Sequence, residues 1–232
     1  MKTTLVIAAC LISFHCIAQS KINLQLKVQL DSILQTDQGI RAINDTETSE
    51  KQKDSLAVFF GQPKEVLIKQ FWNYAHKIDS ANMIKVEKII SQYGYPGKTL
   101  VGEPANLAVF YVVQHAGKIP KFYPLIEEAG KKGELPFMYV AMMLDRKRLQ
   151  EHKEQVYGTQ VYGETFTDPK TGKKRFLHYV VPIQDAANVN KRRKEAGFDS
   201  TVEANAKRLG VVYKPYTYQQ IEDIKSGKVS LD

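Results

Sequence analysis

Between Ile22 and Asn44 the apolar residues Leu26, Leu30, Ile33, Leu34 and Ile40 recur mostly at three- and four-residue spacings. That is the period of an amphipathic helix with one buried stripe, so the chain has to begin its fold as a helix seeking a partner. The same period returns after Pro63 through Val66, Leu67, Phe71, Trp72, Ala75, Ile78, Val86, Ile89 and Ile90, which predicts one long second helix stopping near Gly94 and Pro96. The polar stretch Asp45 to Lys53 between the two reads as a loop or helix edge. Glu103-Pro104 opens a third helix that Gly117 and Pro120 close, and a short fourth runs from about Pro120 to Lys131. After Pro136, Phe137 to Leu144 is apolar on every side, which predicts a central, buried fifth helix.

The pattern then changes. Gln155 to Phe166 and Phe176 to Ile183 are rich in Val, Tyr, Thr and Phe, with Asp168-Pro169-Lys170-Thr171-Gly172 between them. This reads as a β-hairpin with a longer loop. A lone hairpin is marginal in water and must pack on the helices. Asn188 is placed to cap a sixth helix that Gly197 ends, and two more short helical pieces follow. With no repeat and no Gly/Ser linker, the expected architecture is mainly α: one helical domain over residues 19–232, carrying a hairpin at about 155–183.

Residues 1–18 have the form of a signal peptide. Lys2 gives a positive start, Leu5 to Ile17 is apolar apart from Ser13 and His15, and Cys16-Ile17-Ala18 offers a cleavage site. Export to the periplasm or the exterior is the expectation. Lipid attachment at Cys10 is the weaker alternative, because only Leu5, Val6 and Ile7 form the apolar run ahead of it. The segment is too short for a membrane span. Both cysteines, Cys10 and Cys16, fall inside it. A chain cleaved after Ala18 thus has no disulfide, no thiolate nucleophile and no Cys-ligated zinc. The net charge of +8 admits anionic partners. Export argues against nucleic acid and leaves a small anionic or glycan ligand, with solvation as the plainer reading.

Several polar residues sit awkwardly against this frame. Gln114 and His115 end the apolar run Leu107 to Val113, and His115 shares a helix face with Tyr111 and Val112. A half-buried histidine there suits a general acid or base, or else a satisfied helix-end cation. Asp145-Arg146 directly follows Phe137 to Leu144. A carboxylate projecting back toward a helix core needs a partner, either structural or catalytic. Gln155-Val156-Tyr157-Gly158-Thr159-Gln160 reads as the opening of the first strand, with Gly158 marking a bulge or a close approach. In Lys191-Arg192-Arg193-Lys194 helical geometry lets at most one arginine face inward. His-Glu-x-x-His, Gly-x-Ser-x-Gly, Walker and Gly-x-Gly-x-x-Gly motifs are missing, and His76, His152 and His178 lack ligand spacing. The reading therefore predicts no metal and no nucleotide cofactor.

In order, Asp79-x-x-Asn82, Tyr93-Gly94-Tyr95-Pro96, Gln114-His115-Ala116, Leu144-Asp145-Arg146, Gln155-x-Tyr157-Gly158-Thr159-Gln160 and Asn188-Val189-Asn190-Lys191-Arg192-Arg193 form a set. The set resembles domain-of-unknown-function family 6624 across roughly residues 25 to 210. Tyr95 stands where that family commonly has tryptophan, and the region Gly163 to Arg175 is longer than usual. The family carries no activity to transfer. The resemblance implies that His115, Asp145, Arg146, Tyr157, Gln160 and Arg193 line one pocket.

The function expected from these residues is an exported, metal-independent, hydrolase-like enzyme. His115 would be the general base, Asp145 its orienter or a second acid, and Arg146 or Arg193 an anion clamp. Gln114, Tyr157 and Gln160 would donate hydrogen bonds to substrate. The alternatives are a non-catalytic ligand-binding module and an envelope-associated structural protein. Oligomeric state is left open.

Overall fold

The computed structural model describes residues 22–230. The predicted leader, with Cys10 and Cys16, lies outside the described residues. The fold is mainly α with one two-stranded antiparallel sheet, as the periodicity predicts.

Helix α1 (Leu24–Ile43) starts where the Asn23 side chain accepts the amide N–H of Leu26. Its stripe buries Leu26, Leu30 and Ile33 against Val86 and Ile89 of α4 (Phe71–Tyr93) and Val109, Phe110 and Val113 of α6 (Ala108–His115). Each such side chain contributes about 1.5–3 kcal/mol by leaving water. Helices α7 (Ile119–Lys131) and α8 (Phe137–Gln150) pack on each other and close the same core through Phe122, Ile126, Val140 and Met143.

Two sequence expectations change here. Helix α2 (Glu50–Phe60) occupies part of the expected loop and begins at a capping box in which Ser49 and Gln52 satisfy each other's backbone N–H groups. The expected single helix from Pro63 to Gly94 is two, α3 (Lys64–Lys69) and α4, because Gln70 leaves helical geometry at φ −110° and ψ 24°. The buried stripe keeps its helical spacing across the break, through Leu67, Ala75 and Asp79, and Trp72, expected within it, lies beside it, 70% exposed. A short α5 (Lys98–Val101) lies between α4 and α6.

Helix α8 is not buried all round. Phe137 is exposed, and the buried face is Val140, Ala141, Met143 and Asp145. The helix also continues to Gln150, so Asp145 sits within it rather than at its end.

Strands β1 (Val161–Thr167) and β2 (Lys174–Val180) pair from Val161↔Val180 to Thr167↔Lys174. The hairpin packs on C-terminal helices. Leu177 and Tyr179 meet Ile221 and Ile224 of α11 (Tyr218–Lys225), while Val180 joins Val189 of α9 (Val189–Glu195) and Val202 and Ala206 of α10 (Val202–Arg208). Among the described residues no helix is long and apolar enough to cross a membrane.

Candidate acid–base site at His115

The last turn of α6 brings His115 against the middle of α1. Its Nδ1 lies 3.1 Å and 3.0 Å from the two carboxylate oxygens of Asp37. Asp37 is fully buried, whereas the His115 side chain keeps 18% of its surface. Both Asp37 oxygens are acceptors when ionised, so the shared proton belongs on Nδ1. Nε2 then carries a lone pair, and the Gln114 amide nitrogen lies 3.3 Å from it, as a donor would. The Tyr111 ring stacks on the imidazole with centroids 6.1 Å apart. Burial, then Tyr139, push the Tyr111 phenol up to about 12, so it stays neutral at physiological pH.

Asp37 has further partners on its own helix. The Gln38 side-chain amide donates to Asp37 Oδ2 at 2.7 Å, and Arg41 Nη1 lies 3.5 Å from Oδ1. Arg41 Nη2 also donates to Asp79 Oδ1 of α4 at 2.7 Å, joining the two aspartates through one cation. One turn further along α4, Asn82 donates to Thr36 Oγ1 at 3.1 Å and to the Ile33 carbonyl at 3.4 Å. These contacts fix the register of α1 against α4 and hence the position of Asp37.

His115 and Asp79 face a cavity of about 420 Å³ between α4 and the end of α6, lined also by His76, Ser80, Glu87 and Lys118. Ligand atoms of Asp37, Asp79 and His115 lie within 4.8 Å of one another, close enough to share a metal ion. The same oxygens already accept from Arg41 and Gln38, so a divalent cation here would have to displace the Arg41 guanidinium.

The other sequence-predicted residues are elsewhere. The carboxylate beside His115 is Asp37 and not Asp145. Asp145 Oδ1 accepts the amides of Val156 (2.7 Å) and Tyr157 (3.1 Å), and Oδ2 accepts the amide (3.0 Å) and hydroxyl (2.9 Å) of Thr159. Burial pushes the Asp145 carboxyl up and these donors oppose the shift. Residues 155–160 are therefore no strand with alternating faces. They form a loop wrapped around Asp145 and tied by an isolated bridge, Gln155 to Ile183, and by the Val181 N–H to the Gln160 carbonyl, to the segment that follows β2.

Gln155 holds this loop from inside: its Nε2 donates to the Gln160 and Val181 carbonyls and its Oε1 accepts the Gln160 amide. Gln160 Nε2 donates to Thr159 Oγ1 at 2.8 Å, and the Tyr157 ring lies against Phe198. Gly158, at φ 66°, is the close approach that the sequence suggests, because a Cβ there would stand 2.6 Å from Val202 Cγ2. Of the basic run, Arg193 is the inward residue at 1% exposure. It donates to the Ser200 carbonyl (2.8 Å), Ser200 Oγ (3.1 Å) and the Tyr157 carbonyl (2.8 Å), and it lies over the Phe198 ring. Asp145, Tyr157, Gln160 and Arg193 thus build one loop and do not line the His115 cavity; neither does Arg146.

Sequence reasoning missed Asp37, Gln38, Arg41 and the contact of Asp79 with this centre. A signal existed. Asp37 falls between Ile33 and Ile40 in the core stripe of α1, where a carboxylate needs a partner, and Arg41 follows at the i+4 position. Comparison with protein-family models, characterised proteins and solved structures finds no match, and the resemblance to family 6624 rests on the motifs alone.

Proposed function

We propose that this chain is a metal-independent, hydrolase-like acid–base enzyme acting on a small polar or anionic substrate in the cavity at His115. The observation that carries the reading is the partly exposed imidazole whose Nδ1 faces both oxygens of a fully buried carboxylate. In that geometry Asp37 orients the ring and stabilises the imidazolium, while Nε2 is the nitrogen that exchanges protons. Substrate or water displaces the Gln114 amide from Nε2. His115 then takes a proton from the attacking water and returns it to the leaving group. Asp37, in place of Asp145, is the orienter. The hydrogen bonds of Arg41 and Gln38 to the carboxylates support a centre that works without a metal ion. Export of the enzyme is proposed on the character of residues 1–18.

The test is turnover of a panel of ester, phosphoester, glycoside and amide substrates by the purified chain. His115→Ala and Asp37→Asn should each lower any turnover by about 10²–10⁴-fold. Full activity in a folded His115→Ala variant would refute the assignment.

A further inference from the structure

Arg41, Arg148, Arg175, Arg192, Arg193 and Arg208 each meet a hydrogen-bond acceptor or a carboxylate. Arg146 is the exception among the described arginines. No described carboxylate pairs with it, and its Nε is sealed from solvent with no acceptor among the described residues. The terminal nitrogens are not sealed in this way. Burial, the one influence on it, lowers the Arg146 pKa from its ordinary value, with no neighbouring anion to offset the loss of water. A guanidinium has five N–H donors, and one held in this state costs the fold stability. A fold that needed only a side chain to cover α8 would be better served by Met or Leu.

The position is specific. Arg146 lies two turns beyond Tyr139 on one face of α8. The Tyr139 ring packs on Phe110 and Tyr111 of α6, with centroids 4.9 Å and 6.2 Å away. Tyr111 in turn stacks on His115. Arg146 therefore shares the helix face through which Tyr139 meets α6. The loop on Asp145, its chain neighbour, leaves Arg146 as the unmatched charge of the pair, because Asp145 is satisfied by backbone amides.

We propose that Arg146 is a binding residue for an anionic oxygen group, a carboxylate or a phosphate, of a small ligand. The guanidinium fork matches both in bidentate fashion. A chain of net charge +8 also raises the local concentration of such anions. This goes beyond the acid–base reading and does not depend on it.

The experiment uses the full chain and two probes, inorganic phosphate and acetate, against chloride at equal ionic strength. The Arg146 Nε–Hε NMR signal should shift saturably with one or both probes, and the thermal midpoint should rise with probe concentration. A response to phosphate alone assigns a phosphate group, and a response to acetate assigns a carboxylate. Arg146→Met should abolish the midpoint rise. In anion-free buffer Arg146→Met should unfold at the same urea concentration as the parent or a higher one, which a structural arginine would not allow. His115→Ala should keep the probe response, so failure of the catalytic reading is distinguishable. No saturable shift with either probe, an equal midpoint rise in Arg146→Met, or a lower urea midpoint for that variant in anion-free buffer overturns the proposal.

Discussion

The substitution Asp145→Asn separates the structural role of this residue from the catalytic one that the sequence suggests. The change is nearly isosteric, so it removes charge and acceptor capacity without opening a cavity. Oδ1 holds the amides of Val156 and Tyr157, and Oδ2 holds the amide and hydroxyl of Thr159. The single oxygen of the carboxamide can keep one pair, and its NH₂ group then faces the Thr159 N–H. The Thr159 hydroxyl can turn to accept, but the amide cannot. One buried donor left unmade costs about 1–3 kcal/mol, while the charge assistance lost from the bonds kept is offset by relief of the desolvation that raises the Asp145 carboxyl. The expected loss is about 1–3 kcal/mol, against the roughly 5–15 kcal/mol typical of a domain. Urea unfolding followed by far-UV circular dichroism would show it as a lower midpoint at unchanged slope. Residues 155–160 should also lose hydrogen-exchange protection first. A loss below about 0.5 kcal/mol, the range of a bland surface change, would refute the view that Asp145 is the anchor of this loop.

Other substitutions test neighbouring parts of the account. Gly158→Ala forces a Cβ to 2.6 Å from Val202 and 2.8 Å from Ile183 at a left-handed φ. It should cost about 2–4 kcal/mol in urea unfolding, and a neutral result would contradict the packing described for this loop. Trp72→Ala removes a largely exposed ring and should cost under ~1 kcal/mol, against ~3–5 kcal/mol for a buried tryptophan. A loss in the upper range by calorimetry would return Trp72 to the core.

The helical character of the chain is legible in its sequence because stripes such as Leu26, Leu30 and Ile33 have one period and one burial face. Phase is less legible. A single residue, Gln70, breaks a run that looks continuous, and Trp72, next to the half-buried Phe71, falls outside the buried stripe. The loop of residues 155–160 has strand composition, yet it is shaped by a carboxylate on another element, which no local pattern shows. His115 can be found because a histidine ending an apolar helix stands out. Its partner is harder to find, since pairing it with Asp145 assumes that unusual polar residues cluster together. Asp37 looks ordinary in a helix rich in polar residues, although its place in the core stripe marks it. Arg146 stands out beside Asp145, but only the structure shows that the two side chains have separate surroundings.

The tautomer of His115 tests the central claim most directly. Long-range ¹H–¹⁵N correlation of the ring nitrogens, above the pH at which the ring loses its charge, reads which nitrogen holds the proton. The account predicts Nδ1–H facing Asp37 and an unprotonated Nε2, a preference that Asp37→Asn weakens. A proton found on Nε2 in the neutral ring would contradict it, because the lone pair would then face a carboxylate and His115 could not serve as the base.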